Sequence, residues 1–302
     1  MNEFVNPMGG TELMYNELQK RLDGKFDNIS IFNYPTYADT SKKTVYWNQL
    51  SYDQQAVNFL TDPNNVNQID HFVFVSYWQA EMFKKLFPIP ANKIKVIKNA
   101  CIGVDERTKS TDGVVRVCYT STPWRGLDVL VEAWNKLAPD KAELHVFSGT
   151  EIYGKDFHAQ QKEYYNELYD KCKNTKGVIY RGNISNETLR NELQDFDMLA
   201  YPSSFEETSC ISVIEALSCG LRVVCSSLGA LPETTEGWAR MYNYVGDFEQ
   251  HVALFSEIFD DEITKVRNGE LDSQLSTQRS IYEPRWNWDA RITEWEEFLR
   301  SI

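Results

Sequence analysis

Two glutamates, Glu207 and Glu215, stand eight positions apart in the chain. Thr208, Ser209 and Cys210 follow the first. The apolar residues Ile211, Val213, Ile214, Ala216 and Leu217 surround the second, and Gly220 closes the run. This pattern predicts a loop, a helix with Ser209 as N-cap and Gly220 as stop, then a buried strand over 222–225. A helix start built from small residues offers free backbone N–H groups and the positive end of a dipole, which suits a phosphate. At about 1.5 Å per helical residue the two acids lie about 12 Å apart or less, near the span of a diphosphate with a sugar on each side. Glu207 can then reach the hydroxyls of one sugar and Glu215 those of the other. An ordinary amphipathic helix with a solvated acid at each end reads the same way.

Other residues suited to anions follow the same arrangement. Arg125 and Gly126 end a loop of small residues, 120–126, between a strand at 114–119 and a helix at 127–137. An arginine there can pair with a diphosphate in two places; a surface arginine is the plainer reading. Gly9 and Gly10 precede a helix over 11–22, where a missing side chain lets a charged ligand approach the backbone. The four histidines show no metal-ligand spacing, and the six cysteines form no C-x-x-C pair, so buried reduced thiols are expected.

The elements that must hold these residues alternate. Strands are expected at 28–34, 44–47, 71–76 and 93–99, with a helix at 77–87, giving a parallel α/β sheet. Residues 107–113 read as a flexible linker. Beyond it come strands at 142–149, 178–184 and 197–201 and helices at 157–172, 188–193 and 247–260. A last helix carries Ile292, Trp295, Phe298 and Leu299 on one face. With 302 residues, 42% of them hydrophobic, the chain can build two ordinary cores. A net charge of −13 leaves no dominant basic face for nucleic acid. No run approaches the roughly 18 apolar residues of a membrane span, and residues 1–10 do not read as a signal peptide, so a cytoplasmic setting is expected. Lys84, Lys85, Lys93, Lys95 and Lys98 form a stretch without acids. That stretch is open to contact with an anionic membrane, although a solvated face is the commoner meaning.

The segment from Ser203 to Val224 resembles the E-x7-E signature of retaining glycosyltransferases of family 4, with Glu207, Glu215 and Gly220 in register. The family's G-F-G is Thr208-Ser209-Cys210 here. Gly9-Gly10-Thr11-Glu12 resembles the family's N-terminal glycine loop. Asp70 to Gln79 and Lys93 to Asp105 resemble the segments that end its first domain. Arg125-Gly126 takes the place of a lysine-glycine pair, with Thr120 or Ser121 where an upstream arginine is usual. No histidine stands at 45–50, where relatives often carry one; Asn48 or Gln49 is its polar substitute.

The resemblance implies an α/β fold of the GT-B type, with two Rossmann-like domains whose parallel sheets face a central cleft. The N-terminal domain, 1–106, would be reduced, with a stub of a first strand in residues 1–5. The nucleotide-sugar domain would span 114–284, and the helix of 285–302 would pack back on the first domain. The implied reaction moves a sugar from a nucleotide-diphosphate sugar to a hydroxyl of a carbohydrate or lipid-linked acceptor, with retention and without cofactor or metal. Arg125 and the amides of Ser209, Cys210 and Ile211 would stabilise the leaving phosphate, Glu207 would orient the sugar, and Glu215 would hold the ribose. Thr208 would line the same donor site, Gly10 would admit the diphosphate from the opposite wall, and Gly182 and Asn183 would flank the base. A nucleotide-sugar epimerase of the same architecture, or a truncated donor-binding protein without transfer activity, are the alternative readings.

Overall fold

The computed structural model describes residues 9–150 and 155–302, without the side chains of 155–160 and 162. The strand stub expected in residues 1–5 lies outside the described residues.

The first half alternates as its pattern requires. Helix α1 (Gly10–Leu22) leads to β1 (Ile29–Phe32), β2 (Lys43–Asn48), α2 (Pro63–Asn67), β3 (His71–Phe74), α3 (Tyr77–Leu86) and β4 (Ile94–Val96). The strands pair in the order β1-β2-β3-β4, all parallel. Period-two alternation along β2 sends Val45 and Trp47 to a core shared with Leu13, Met14 and Leu18 of α1. Tyr46 goes to the other face, with Phe72, Phe74 and Phe83. Burial on both faces is why these strands read as apolar runs. Ser76 caps α3, its Oγ accepting from the Gln79 amide at 3.1 Å.

The second half holds β5 (Val115–Tyr119), α4 (Leu127–Leu137), β6 (Ala142–Val146), α5 (Lys155–Asn174), β7 (Val178–Tyr180), α6 (Asn186–Leu193) and β8 (Met198–Tyr201). Then follow α7 (Ile211–Cys219), β9 (Arg222–Ser226), α8 (Leu231–Thr235), β10 (Arg240–Tyr242), α9 (Phe248–Arg267), α10 (Asp272–Trp286) and α11 (Trp288–Ser301). Its sheet is parallel in the order β10-β9-β8-β5-β6-β7. The order reverses between β5 and β8, so the loops after these two strands diverge and leave a crevice at their carboxyl ends.

Two segments differ from expectation. Residues 107–113 carry no regular structure, yet they are pinned rather than flexible. The Arg107 guanidinium lies 3.0 Å from Asp197 and 2.9 Å from Asp272, and the Thr108 amide donates to the Gln194 carbonyl at 2.7 Å. Helix α10 occupies a polar stretch without a clear apolar period. It is held from its buried side by Gln278 Nε2, which donates to the Leu217 and Leu221 carbonyls. Helix α10 also runs through Pro284 to Trp286, and the break falls at Asn287, whose Oδ1 caps α11 through the Ala290 amide at 2.9 Å. Helix α11 then packs on the first half: the Trp295 ring meets Trp47 of β2 at 5.0 Å, and Phe298 meets His71 at 5.6 Å.

Candidate active site

The crevice begins where β8 ends. Beyond Tyr201 the chain turns through Ser203, whose Oγ accepts from the Phe205 amide and donates to its carbonyl. Glu207 is then clamped through its backbone, because its carbonyl accepts from the Ala230 amide at 2.7 Å. Gly229, at φ +62°, lies so close that a Cβ there would stand 2.6 Å from the Glu207 nitrogen and oxygen. The loop after β5 reaches the same point. Gly126, at φ +91°, rests on Pro202, where a Cβ would sit 1.9 Å from its carbonyl oxygen. That contact delivers Arg125 to Glu207. Arg125 Nη1 pairs with Glu207 Oε1, and the guanidinium lies over the Phe205 ring at 3.7 Å. Tyr201 donates to the same carboxylate oxygen at 2.6 Å. Burial works against the Arg125 charge, and the adjacent Glu207 outweighs it, so the guanidinium pKa is raised.

Helix α7 starts one residue later than the sequence suggests. Cys210, not Ser209, is the N-cap. Ser209 Oγ is buried without a partner among the described residues. The expected glycine stop is present: Gly220 is left-handed at φ +92°, and its amide closes on the Leu217 carbonyl at 3.2 Å. Ser212 Oγ donates to the Thr120 carbonyl at 2.7 Å, which ties the first turn of α7 to the loop after β5. Glu215, one turn further on, is only 7% exposed. Burial pushes its carboxyl up to about 7, with Arg190 opposing the rise.

A cleft of about 470 Å³ collects these groups. Gly10, Arg125, Gly182, Asn183, Glu207, Thr208, Ser209, Cys210, Ile211 and Glu215 all line it. Its opposite wall comes from the first half, through Tyr34, Gln49, Ser51, Gln54 and Asn99. Helices α1 and α7 begin on facing walls. A Cβ on Gly10 would meet Ile211 Cδ1 at 2.9 Å, so the two helix starts are nearly in contact there. Thr208 spends its hydroxyl across the cleft on the Gln49 carbonyl at 3.0 Å. Burial pushes the Cys210 thiol well up, which disfavours its thiolate.

Of the two substitutes for the absent histidine, Gln49 is the one at the cleft. It exchanges two side-chain hydrogen bonds of 3.0 Å with Asn99, whereas Asn48 is buried and bonds to Leu50. Tyr201, Phe205 and Asn99 were not legible as site residues. Each reads as strand or loop interior, and only tertiary contact aims it at the cleft.

The lysine-rich stretch is largely engaged on the protein itself. Lys84 pairs with Glu81 at 2.7 Å, Lys93 donates to the Ile69 carbonyl at 2.6 Å, and Lys98 lies 3.5 Å from Glu233 and over the Trp286 ring. The triplet Asp195-Phe196-Asp197 has the spacing of a cation site. However, Asp197 is spent on Arg107 and on the Arg116 amide, and neither acid lines the cleft. Among the described residues no cluster of three potential metal ligands occurs.

Residues 113–258 match the family model described as "Glycosyl transferases group 1". A curated human relative, one of the subunits of phosphatidylinositol N-acetylglucosaminyltransferase, is 26% identical over 168 residues. That match takes in 54% of this chain and about a third of the relative's length, 33%. Among solved structures, Anabaena HepE in complex with UDP-glucose superposes with a TM-score of 0.69 at 18% identity, covering 94% of this chain and 82% of that one. Sucrose-phosphate synthase from Thermosynechococcus elongatus gives 0.66 at 16% identity, covering 96% and 78%. A Rickettsia africae glycosyltransferase gives 0.65 at 16% identity, covering 100% and 83%. Residues 113–258 are thus similar to a glycosyl transferases group 1 domain, and the fold is that of the GT-B glycosyltransferases: two parallel α/β sheets facing one cleft.

Proposed function

We propose that the protein transfers a sugar from a nucleoside-diphosphate donor, of the UDP-sugar class, to a hydroxyl of a carbohydrate acceptor, with the anomeric configuration retained. The observation that carries this reading is the meeting of two helix starts, one guanidinium and the carboxylates of Glu207 and Glu215 in a single cleft. The diphosphate lies alongside the amides opening α1 and α7, where both dipoles favour negative charge. Arg125 gives one nitrogen to Glu207 and turns the rest of its fork to the phosphate. These fixed donors are in place before charge develops on the leaving oxygen, which is how such groups lower a barrier. The reading needs no divalent metal, because Arg125 and the two sets of amides take up that charge.

Glu207 and Glu215 take the two sugars. Glu207 keeps one oxygen on Arg125 and Tyr201 and offers the other to the transferred sugar. Glu215 accepts from the ribose hydroxyls, and the backbone at Gly182 and Asn183 flanks the base. Beside the Glu12 carboxylate, the Gln49–Asn99 pair, Ser51, Gln54 and Tyr34 give the facing wall neutral donors and acceptors, which support a carbohydrate hydroxyl as acceptor. Retention and membership of family 4 rest on the E-x7-E resemblance. The UDP class rests on HepE, whose structures hold UDP-glucose or UDP and glucose. No helix among the described residues is long and apolar enough to cross a membrane, and six buried free cysteines fit a reducing, cytoplasmic setting.

The test is isotope transfer. UDP-sugars labelled at the anomeric carbon are incubated with a panel of free and lipid-linked saccharides, and products are read by NMR. Label joined to an acceptor with the donor's anomeric configuration is expected. Inverted product would remove retention. Free sugar of altered stereochemistry, with no acceptor product, would instead favour an epimerase.

A further inference from the structure

We propose that Tyr201 is a positioning residue for Glu207: it anchors one carboxylate oxygen so that the other stays aimed at the transferred sugar while Arg125 turns to the diphosphate. The inference rests on the donor-site reading above and adds a residue to it.

Tyr201 closes β8 at 1% exposure, and its ring stacks on Tyr119 of the neighbouring β5 with centroids 6.1 Å apart and planes 26° apart. A buried ring held this way has no freedom to follow a moving partner. Its hydroxyl donates to Glu207 Oε1 at 2.6 Å, on the same oxygen that takes Arg125 Nη1. Two donors on one oxygen fix the carboxylate plane, since rotating it breaks both bonds. Arg125 is the less secure anchor of the two. Its guanidinium lines the cleft and is the cation that the diphosphate would draw, so donor binding competes with Glu207 for it. Tyr201 meets no such competition, because a neutral buried hydroxyl is not a phosphate's first partner. Ser121 Oγ, at 3.4 Å, and the Cys210 thiol share it, and both are neutral. When Arg125 leans toward phosphate, the phenol keeps Glu207 in register.

The experiment compares wild type, Tyr201→Phe and Tyr119→Phe with UDP-glucose and UDP as probes. Tyr119 is the control: its hydroxyl is as deeply buried but donates at 2.6 Å to the Thr122 carbonyl, not to Glu207. Tyr201→Phe is expected to lower kcat for release of glucose from UDP-glucose by roughly 10- to 100-fold, the worth of a buried hydrogen bond to a charged group. UDP affinity by calorimetry should stay within about twofold, while the preference for UDP-glucose over UDP shrinks. Tyr119→Phe should retain kcat. A purely structural role would lower both variants' melting temperature and UDP affinity together.

In a second comparison Tyr201→Phe is placed on Glu207→Ala, where the hydroxyl has nothing left to position, and no further loss of kcat is expected. An additional loss there overturns the proposal, as does wild-type kcat in Tyr201→Phe or equal losses in the two tyrosine variants. A wild type that neither binds nor turns over UDP-glucose overturns the donor-site reading, and this inference with it.

Discussion

Glu215 shows stability and binding set against each other in one side chain. Its carboxyl is raised by burial from an ordinary 4.5 to about 7. A group that holds its proton more tightly in the folded state favours folding fully below its unfolded pKa and loses that contribution as pH rises to the folded value. The window is therefore about pH 4.5 to 7. Above it the ionised Glu215 costs roughly 3 kcal/mol relative to a neutral isostere. Glu215→Gln should raise urea-denaturation stability at pH 8 by up to that amount and leave it unchanged near pH 4. The ionised form is the one that can accept two ribose hydroxyls. UDP affinity should accordingly fall as pH drops below about 7 in the wild type, and Glu215→Gln should bind more weakly with a flat profile. Equal stability gains at both pH values would show that burial is not the cause. Arg125→Ala removes the guanidinium and strands Glu207 on Tyr201 alone, and should cost about 2 kcal/mol or more of transition-state stabilisation, seen in kcat/KM. Glu207→Ala should slow transfer with UDP affinity nearly kept.

At the scale of elements, two left-handed glycines do different work. Gly220 ends α7 at φ +92° with room for a methyl group, since a built Cβ would make ordinary contact with Arg279 at 3.5 Å. Gly220→Ala should therefore cost only the left-handed penalty, about 1–2 kcal/mol. Gly126 has nearly the same φ, but a Cβ there runs into the Pro202 carbonyl. Gly126→Ala must part the loops after β5 and β8, and so separate Arg125 from Glu207. It should cost more than Gly220→Ala in urea unfolding and should also abolish turnover, which Gly220→Ala retains. Comparable losses in the two variants would mean that the loop contact does not organise the site.

For the whole molecule, α11 decides how the halves are joined. The chain crosses between the sheets near Cys101, whose amide donates to the Trp286 carbonyl at 2.6 Å, and returns at Asn287. Trp295 then fills the first sheet's core against Trp47. Trp295→Ala should cost about 3–5 kcal/mol. Hydrogen exchange should rise in β2 and α1 while β5 and β8 stay protected. Uniform acceleration would mean that the halves unfold as one. Across the cleft, Glu233 receives the Tyr77 and Trp78 amides at 3.1 Å, and Tyr52 donates to Glu206 at 2.7 Å. A nucleotide seated between walls already bridged in this way should raise the melting temperature, and a panel of nucleotide sugars read by thermal shift would identify the donor.

Alternating apolar runs and glycine stops were enough to place the parallel strands other than β10, α1, α3, α4 and the Glu207–Glu215 segment, because period and turn chemistry are local. The same locality hid α10, whose burial comes from one glutamine and a few apolar residues, and the pinned linker, whose arginine finds its acids 90 and 165 residues away. The sequence by itself determined which side chains are able to bind a phosphate and two sugars, since charge, hydroxyls and missing Cβ atoms belong to residue types. Only the tertiary structure decided that they meet, that Cys210 rather than Ser209 opens α7, that Gln49 rather than Asn48 faces the cleft, and that Tyr201 reaches Glu207. Those outcomes depend on how two strand ends and two loops come within hydrogen-bond reach, a condition set by packing between segments distant in the chain.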